Sequence, residues 1–157
     1  MATKLFLLLA VCLLPVLVNA NRKPFQIIGK VYCDACRAGF ETIKCSYIPR
    51  AKVEIRCYDR ATLRLKFSVG AETDATGTYS ITVEDDHQDQ ICYATLVSSP
   101  IKSCAVPDTR RNKATVILTR SNGAVSSIHH ANAMGFLQNT VAAGCQELLR
   151  SLLQDDE

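Results

Sequence analysis

The chain has 157 residues, with 18 lysines and arginines against 15 acidic residues and a formal net charge of +3. That length makes one domain with a core of its own. The one local basic cluster, Arg110, Arg111 and Lys113, lacks the basic stripe and aromatic support of a nucleic-acid site and reads as a solvated loop, so nucleic acid is excluded as the expected partner.

Lys4 is the only charge before Arg22, and Leu5 to Val18 is apolar. Val18-Asn19-Ala20 then presents the small or branched residues of a cleavage site. Residues 1–20 therefore read as a secretory signal peptide cut after Ala20, and residues 21–157 as a single domain. The apolar stretch falls short of the ~20 residues of a membrane span. No lipid-anchor tail or retention tail is recognisable at Gln154-Asp155-Asp156-Glu157. The expected location is the extracellular space, with no membrane insertion after cleavage. Seven of the eight cysteines lie beyond Ala20, a density suited to an oxidising compartment.

Past the leader, short segments alternate apolar and polar residues. Phe25 to Cys33 is the first. In the next, Val53, Ile55 and Cys57 alternate with Lys52, Glu54 and Arg56, and further on Leu63, Leu65 and Phe67 alternate with Arg64, Lys66 and Ser68. Tyr79, Ile81 and Val83 follow, then Ile91 to Ser98 and Ala114 to Thr119. Period two with β-branched and aromatic enrichment marks half-buried strands. Pro49, Gly70, Asp74 to Gly77, Pro100, Pro107 and Asn122-Gly123 separate them. In Thr73 to Tyr79, Asp74 is placed to bond forward, Gly77 permits positive φ, and Tyr79 opens the next inward row. The expectation is an all-β fold, a compact antiparallel sandwich or barrel of about seven strands. Leu137, Val141, Cys145, Leu148 and Leu152 lie on one helical stripe, which predicts a short C-terminal helix pinned by the bond of Cys145.

Cys33-Asp34-Ala35-Cys36 has the two-residue spacing of redox and zinc sites. A redox pair should open a helix in a βαβ unit, and a four-cysteine zinc site needs a second close pair. This one ends a strand, and Cys92 and Cys104 are too far apart in sequence to match it, so structural disulfides to distant partners are expected. Glu84-Asp85-Asp86-His87-Gln88-Asp89 lacks the glycine and alternate ligands of a calcium loop and reads as a solvated hairpin tip. His129 and His130, adjacent on a strand, point to opposite faces and read as surface residues. No nucleophile-elbow motif is present. No catalytic, cofactor or metal residues are expected.

Gly29-Lys30-Val31-Tyr32-Cys33-Asp34-Ala35-Cys36-Arg37 resembles the signature of the Ole e I-like family, to which olive pollen allergen and extensin-like proteins belong. Cys57, Cys92, Cys104 and Cys145 follow at that family's intervals. Thr73 to Tyr79, Leu96-Val97-Ser98-Ser99-Pro100 and Ala131-Asn132-Ala133-Met134-Gly135-Phe136 are similar to its other blocks. The resemblance covers residues 25–150. It implies a secreted plant protein without established catalytic activity, of a kind abundant in pollen, linked to hydration, germination and tube growth, and in several cases allergenic. It implies three disulfides, Cys33 with Cys104, Cys36 with Cys145 and Cys57 with Cys92, a choice that six cysteines alone leave open among fifteen pairings. Cys45 lies outside that pattern and reads as unpaired or intermolecular. Some relatives are N-glycosylated, but Asn21, Asn112, Asn122, Asn132 and Asn139 all lack the sequon.

The resemblance implies an extracellular protein partner such as a receptor-kinase ectodomain, or a cell-wall component. A binding module should offer aromatic and arginine anchors on an open surface, for which Tyr47, Tyr58, Arg60, Arg64 and Arg110 are the candidates. An extracellular carbohydrate- or wall-modifying enzyme is the alternative, and would show a concave site with convergent, shifted groups. A defence-type inhibitor with an exposed stapled loop is a third reading.

Overall fold

A computed structural model describes residues 23–154; the expected signal peptide lies outside the described residues. Two β-sheets pack face to face, with one short helix at the C-terminal end. Strand β1 (Phe25–Asp34) is the spine of the first sheet. Its first half pairs antiparallel with β5 (Thr78–Val83) and parallel with β9 (Ile128–His130). Its second half pairs antiparallel with β2 (Ser46–Tyr47) and parallel with β10 (Met134–Leu137). β7 (Val106–Pro107) extends β10.

The second sheet is antiparallel throughout, in the order β4 (Leu65–Glu72), β3 (Lys52–Asp59), β6 (Gln90–Ser98) and β8 (Lys113–Val116). Alternation places Val53, Ile55 and Cys57 of β3 and Cys92, Ala94 and Leu96 of β6 inward, where they meet Phe25, Ile27, Tyr79, Ile81 and Val83. Burying each large apolar side chain contributes roughly 1.5–3 kcal/mol.

The all-β fold with a C-terminal helix is as the sequence predicts. The two parallel pairings of β1 are additional, and both join it to the chain's last strands. Four strands of two to four residues, β2, β7, β9 and β10, join the segments that alternation reveals. β2, β7 and β9 are too short to carry a pattern, and β10 is buried at its first three positions.

Leu63 and Leu65 depart from expectation. A turn with Leu63 at φ 54° carries Leu63 past the end of β4, and Leu65, the first residue of β4, sits opposite Tyr58 beyond a bulge; both are exposed. The inward row of β4 is instead Phe67, Val69 and Ala71, which pack against the core. The C-terminal stripe is also split. Leu137 ends β10, and Val141 is exposed in a loop. Helix α1 (Cys145–Gln154) begins only at Cys145, because Gly144 sits at φ 74°, outside helical space.

The turn before β5 closes as its residues dictate. Asp74 Oδ1 accepts from the N–H groups of Thr76 and Thr78 at 2.8 and 3.0 Å and from the Thr76 hydroxyl at 2.6 Å. These donors, the Thr76 hydroxyl foremost, hold its carboxyl below the ordinary range. Gly77 takes φ 71°, and its carbonyl accepts from Val31 N–H at 2.9 Å where β1 passes from β5 to β2. A Cβ there would stand 2.6 Å from Tyr47 Cβ and 3.0 Å from the Ile48 nitrogen and the Val31 carbonyl oxygen.

Candidate functional site

The end of β1 is a tether point. Cys33 is bonded to Cys104, and three residues on Cys36 is bonded to Cys145, the first residue of α1. Between them Asp34 is fully buried and accepts from Cys36 N–H at 3.2 Å and Gly39 N–H at 2.7 Å. A buried carboxylate is tolerated when donors satisfy it, and here it folds the chain back after the strand. Ala142 N–H donates to Ala35 O at 2.9 Å, which seats the approach to α1 on the same corner. The third disulfide joins Cys57 to its register partner Cys92 across β3 and β6.

The corner carries a groove of about 500 Å³, lined by Phe40, Ile43, Cys45, Tyr47, Leu148 and Leu152 among others. Phe40, Ile43, Tyr47 and Leu152 are exposed, Ile43 to 88%. The helix presents leucines here because its only buried residue is the disulfide-bonded Cys145. Tyr47 is held in place by its hydroxyl, which donates to Glu41 Oε1 at 2.9 Å, and by Lys30 Nζ, 4.2 Å above the ring. That bond to the Glu41 carboxylate also raises the phenol's pKa. Cys45 is a free, half-buried thiol, and its sulfur accepts from Thr42 N–H at 3.3 Å.

The remaining surface candidates stand elsewhere. Tyr58 on β3 lies 6.4 Å from Tyr93, with Lys113 Nζ 4.9 Å over the Tyr93 ring, in a depression of about 520 Å³ with Leu63 and Ile91. Tyr58 pairs with Leu65, so the turn bearing Arg60 and Arg64 is its neighbour. That turn is closed by Asp59, whose Oδ1 accepts from Thr62 N–H and hydroxyl, both at 2.8 Å. Arg110 lies on another loop, with Nε 3.4 Å from the buried carboxylate of Asp108 and its guanidinium against Gly39. The five candidates thus fall into three places: Tyr47 in the groove, Tyr58, Arg60 and Arg64 at one end of the second sheet, and Arg110 in a loop contact. The groove itself went unread in the sequence. Its one signal was Phe40, Ile43 and Tyr47 in a segment without strand alternation.

Two histidines differ from their expected surface setting. His87 is buried, its ring 4.6 Å from that of Phe67, and its backbone N–H donates to Leu118 O at 2.8 Å. The loop before β6 turns this side chain inward to close the end of the core. His129 packs edge-on to Phe25 at 5.5 Å, with Nε2 buried and unpartnered, while His130 is exposed. Burial holds His129 below the ordinary imidazole range. As pH falls, the unfolded chain takes up this proton first, near pH ~6.5, so the stabilising contribution is intact above that value and is lost below it. The melting temperature should decline from about pH 7 to pH 5, and more shallowly in His129→Gln. Parallel curves for the two proteins would remove His129 as a cause.

The groups with shifted proton affinity are dispersed. Burial pushes Tyr32 up to about 12, and burial also raises Tyr79, whose hydroxyl has no partner. Asp86 is lowered: burial opposes this, but the N–H groups of Arg120 and Gln88 outweigh it. Among the described residues these groups do not converge on one cleft.

The model of the family described as "Pollen protein Ole e 1 like" matches residues 23–153. Protein DOWNSTREAM OF FLC from Arabidopsis thaliana is 48% identical, over 98% of this chain and 93% of the relative. Pollen-specific protein C13 from Zea mays is 40% identical over 88% of this chain and 82% of its own length. Anther-specific protein LAT52 from Solanum lycopersicum is 35% identical over 97% of this chain and 96% of its own length. The crystal structure of the major plantain pollen allergen Pla l 1 superimposes with a TM-score of 0.70 at 26% identity, over 78% of this chain and all of that one.

Proposed function

The chain belongs to the Ole e 1-like family of pollen proteins, and from that membership we propose that it is secreted into the plant extracellular space and works there by binding, without catalysis. Its partner is an extracellular protein of the receptor-kinase ectodomain type. The observation that carries this reading is the exposed apolar groove of Phe40, Ile43, Tyr47, Leu148 and Leu152. Aromatic and aliphatic anchors at the centre of a contact give the largest binding contributions between proteins, whereas a glycan would need more hydrogen-bonding groups than this groove offers. The dispersal of the shifted titratable groups supports binding over catalysis.

The test uses the oxidised, secreted chain against purified plant receptor-kinase ectodomains and against wall polysaccharides. Saturable binding to an ectodomain is expected, weakened at least about tenfold, or ~1.4 kcal/mol, by Ile43→Ser with Leu152→Ser. Both positions are exposed, so circular dichroism should be unchanged. Binding indifferent to these substitutions would move the contact off the groove. Turnover of a wall polysaccharide would replace binding with an enzymatic function.

A further inference from the structure

The outer face of the second sheet carries groups that the groove does not use. The alternation that turns Cys57, Cys92 and Ala94 into the core turns Tyr58 of β3 and Tyr93 and Thr95 of β6 the other way. Register sets Tyr58 against Ile91, and Thr95 against Lys113 of β8, so both rings and the lysine fall on one stretch of the face. The rings stand 6.4 Å apart, tilted by 56°, and both are half-buried. They line the depression of about 520 Å³, together with Thr95, Thr109, Asn112 and Lys113. Two hydroxyls, an amide and an ammonium thus border two aromatic rings.

That mixture selects a class of ligand. An aromatic face attracts electropositive groups, and Lys113 Nζ rests 4.9 Å over the Tyr93 ring. Lys113 is exposed, so this contact is a weak one that a ligand can replace. A pyranose ring offers an apolar C–H face to the tyrosines and hydroxyls around its edge to the threonines, the asparagine and the lysine. The surrounding charge favours an anion. Glu54 is taken up by Arg56 at 2.8 Å, and Asp59 Oδ1 by the N–H and hydroxyl of Thr62. Arg60 and Arg64 on the turn after Tyr58, Lys66 at the start of β4 and Lys113 on β8 are all exposed, and their combined field draws carboxylates to this end of the sheet.

We propose that the depression between Tyr58 and Tyr93 binds an acidic glycan, a chain of uronic-acid pyranoses. Sugar rings stack on the tyrosines, and the carboxylates pair with Lys113 and with the arginines of the neighbouring turn. The site shares no lining residue with the groove, so one molecule can hold a glycan here and a protein partner there.

The test titrates the oxidised, secreted chain with an oligogalacturonide, using a neutral galactose oligomer and polyglutamate as controls, by calorimetry. Saturable binding of the oligogalacturonide is expected, at least about tenfold tighter than either control and weakened by salt. Tyr58→Ala with Tyr93→Ala should weaken it at least about tenfold, whereas Tyr93→Phe, which keeps the ring, should bind within about twofold of the parent. Lys113→Glu, at an exposed position, tests the charge without touching the packing and should also lose at least about tenfold. The groove variant Ile43→Ser with Leu152→Ser should bind the oligogalacturonide as the parent does, which separates this site from the groove. No saturable binding, or equal binding of polyglutamate or of the neutral oligomer, would overturn the proposal. So would an affinity unchanged by Lys113→Glu, or a tyrosine pair whose loss weakens an ectodomain and leaves the glycan unaffected.

Discussion

With Cys36 and Cys145 both replaced by alanine, the C-terminal helix is expected to leave the domain and the melting temperature to fall steeply. The bond closes 109 positions of chain, for which loop-closure entropy gives about 5 kcal/mol. Cys33–Cys104 already restrains much of that loop, so about 3–4 kcal/mol is the expected loss. At roughly 3 °C per kcal/mol for a domain of this size, the melting temperature drops by about 10 °C. The local consequence is sharper. Helix α1 has ten residues and buries one side chain, Cys145 itself, and isolated helices shorter than ~12–15 residues are marginal in water. Hydrogen exchange should therefore find the amides of residues 145–154 unprotected in the double variant. Retained protection, or an unchanged melting curve, would mean that packing rather than the bond holds the helix. Because Leu148 and Leu152 line one wall of the groove, this variant should also lose the binding proposed for that surface.

The second large effect is Phe136→Ala. Phe136 is completely buried on β10, beside Cys33 of β1 and Pro107 of β7. Removing a buried phenylalanine ring costs about 3–5 kcal/mol through lost transfer energy and the cavity left behind. Against a total stability of ~5–15 kcal/mol for a domain, that is a fall of about 10–15 °C. Phe136→Leu keeps most of the volume and should recover more than half of the loss. Equal losses for the two substitutions, read by chemical denaturation, would show that ring shape rather than volume matters at this position.

What was legible in the sequence follows from chain length and exposure. β1, β3, β5 and β6 each have at least six residues with one face on the core, so their alternation is written in the residues. β10, Met134-Gly135-Phe136-Leu137, is buried at its first three positions and so carries no alternation to read. His87 sits in an acidic segment whose neighbours, Asp85, Gln88 and Asp89, are indeed in water. Composition averaged over the segment concealed the one side chain that turns inward. The disulfide pairing came from family resemblance, since cysteine count and spacing leave fifteen pairings open.

By itself the sequence determined the all-β class, the short terminal helix, the turn at Asp74 to Gly77 and the family. Each of these is encoded locally, by which face of a segment is apolar and which residue tolerates a turn. Only the tertiary structure decided that β1 pairs in parallel with the chain's last strands, that α1 and the segment 40–47 share a groove, that the surface candidates stand in three places, and that His87 lies against Cys57 and Cys92. Apart from His87 and Cys92, which are near neighbours in sequence, these contacts join residues about 30 to more than 100 positions apart. Local alternation specifies that a face is buried, and leaves its partner to the packing of the whole chain.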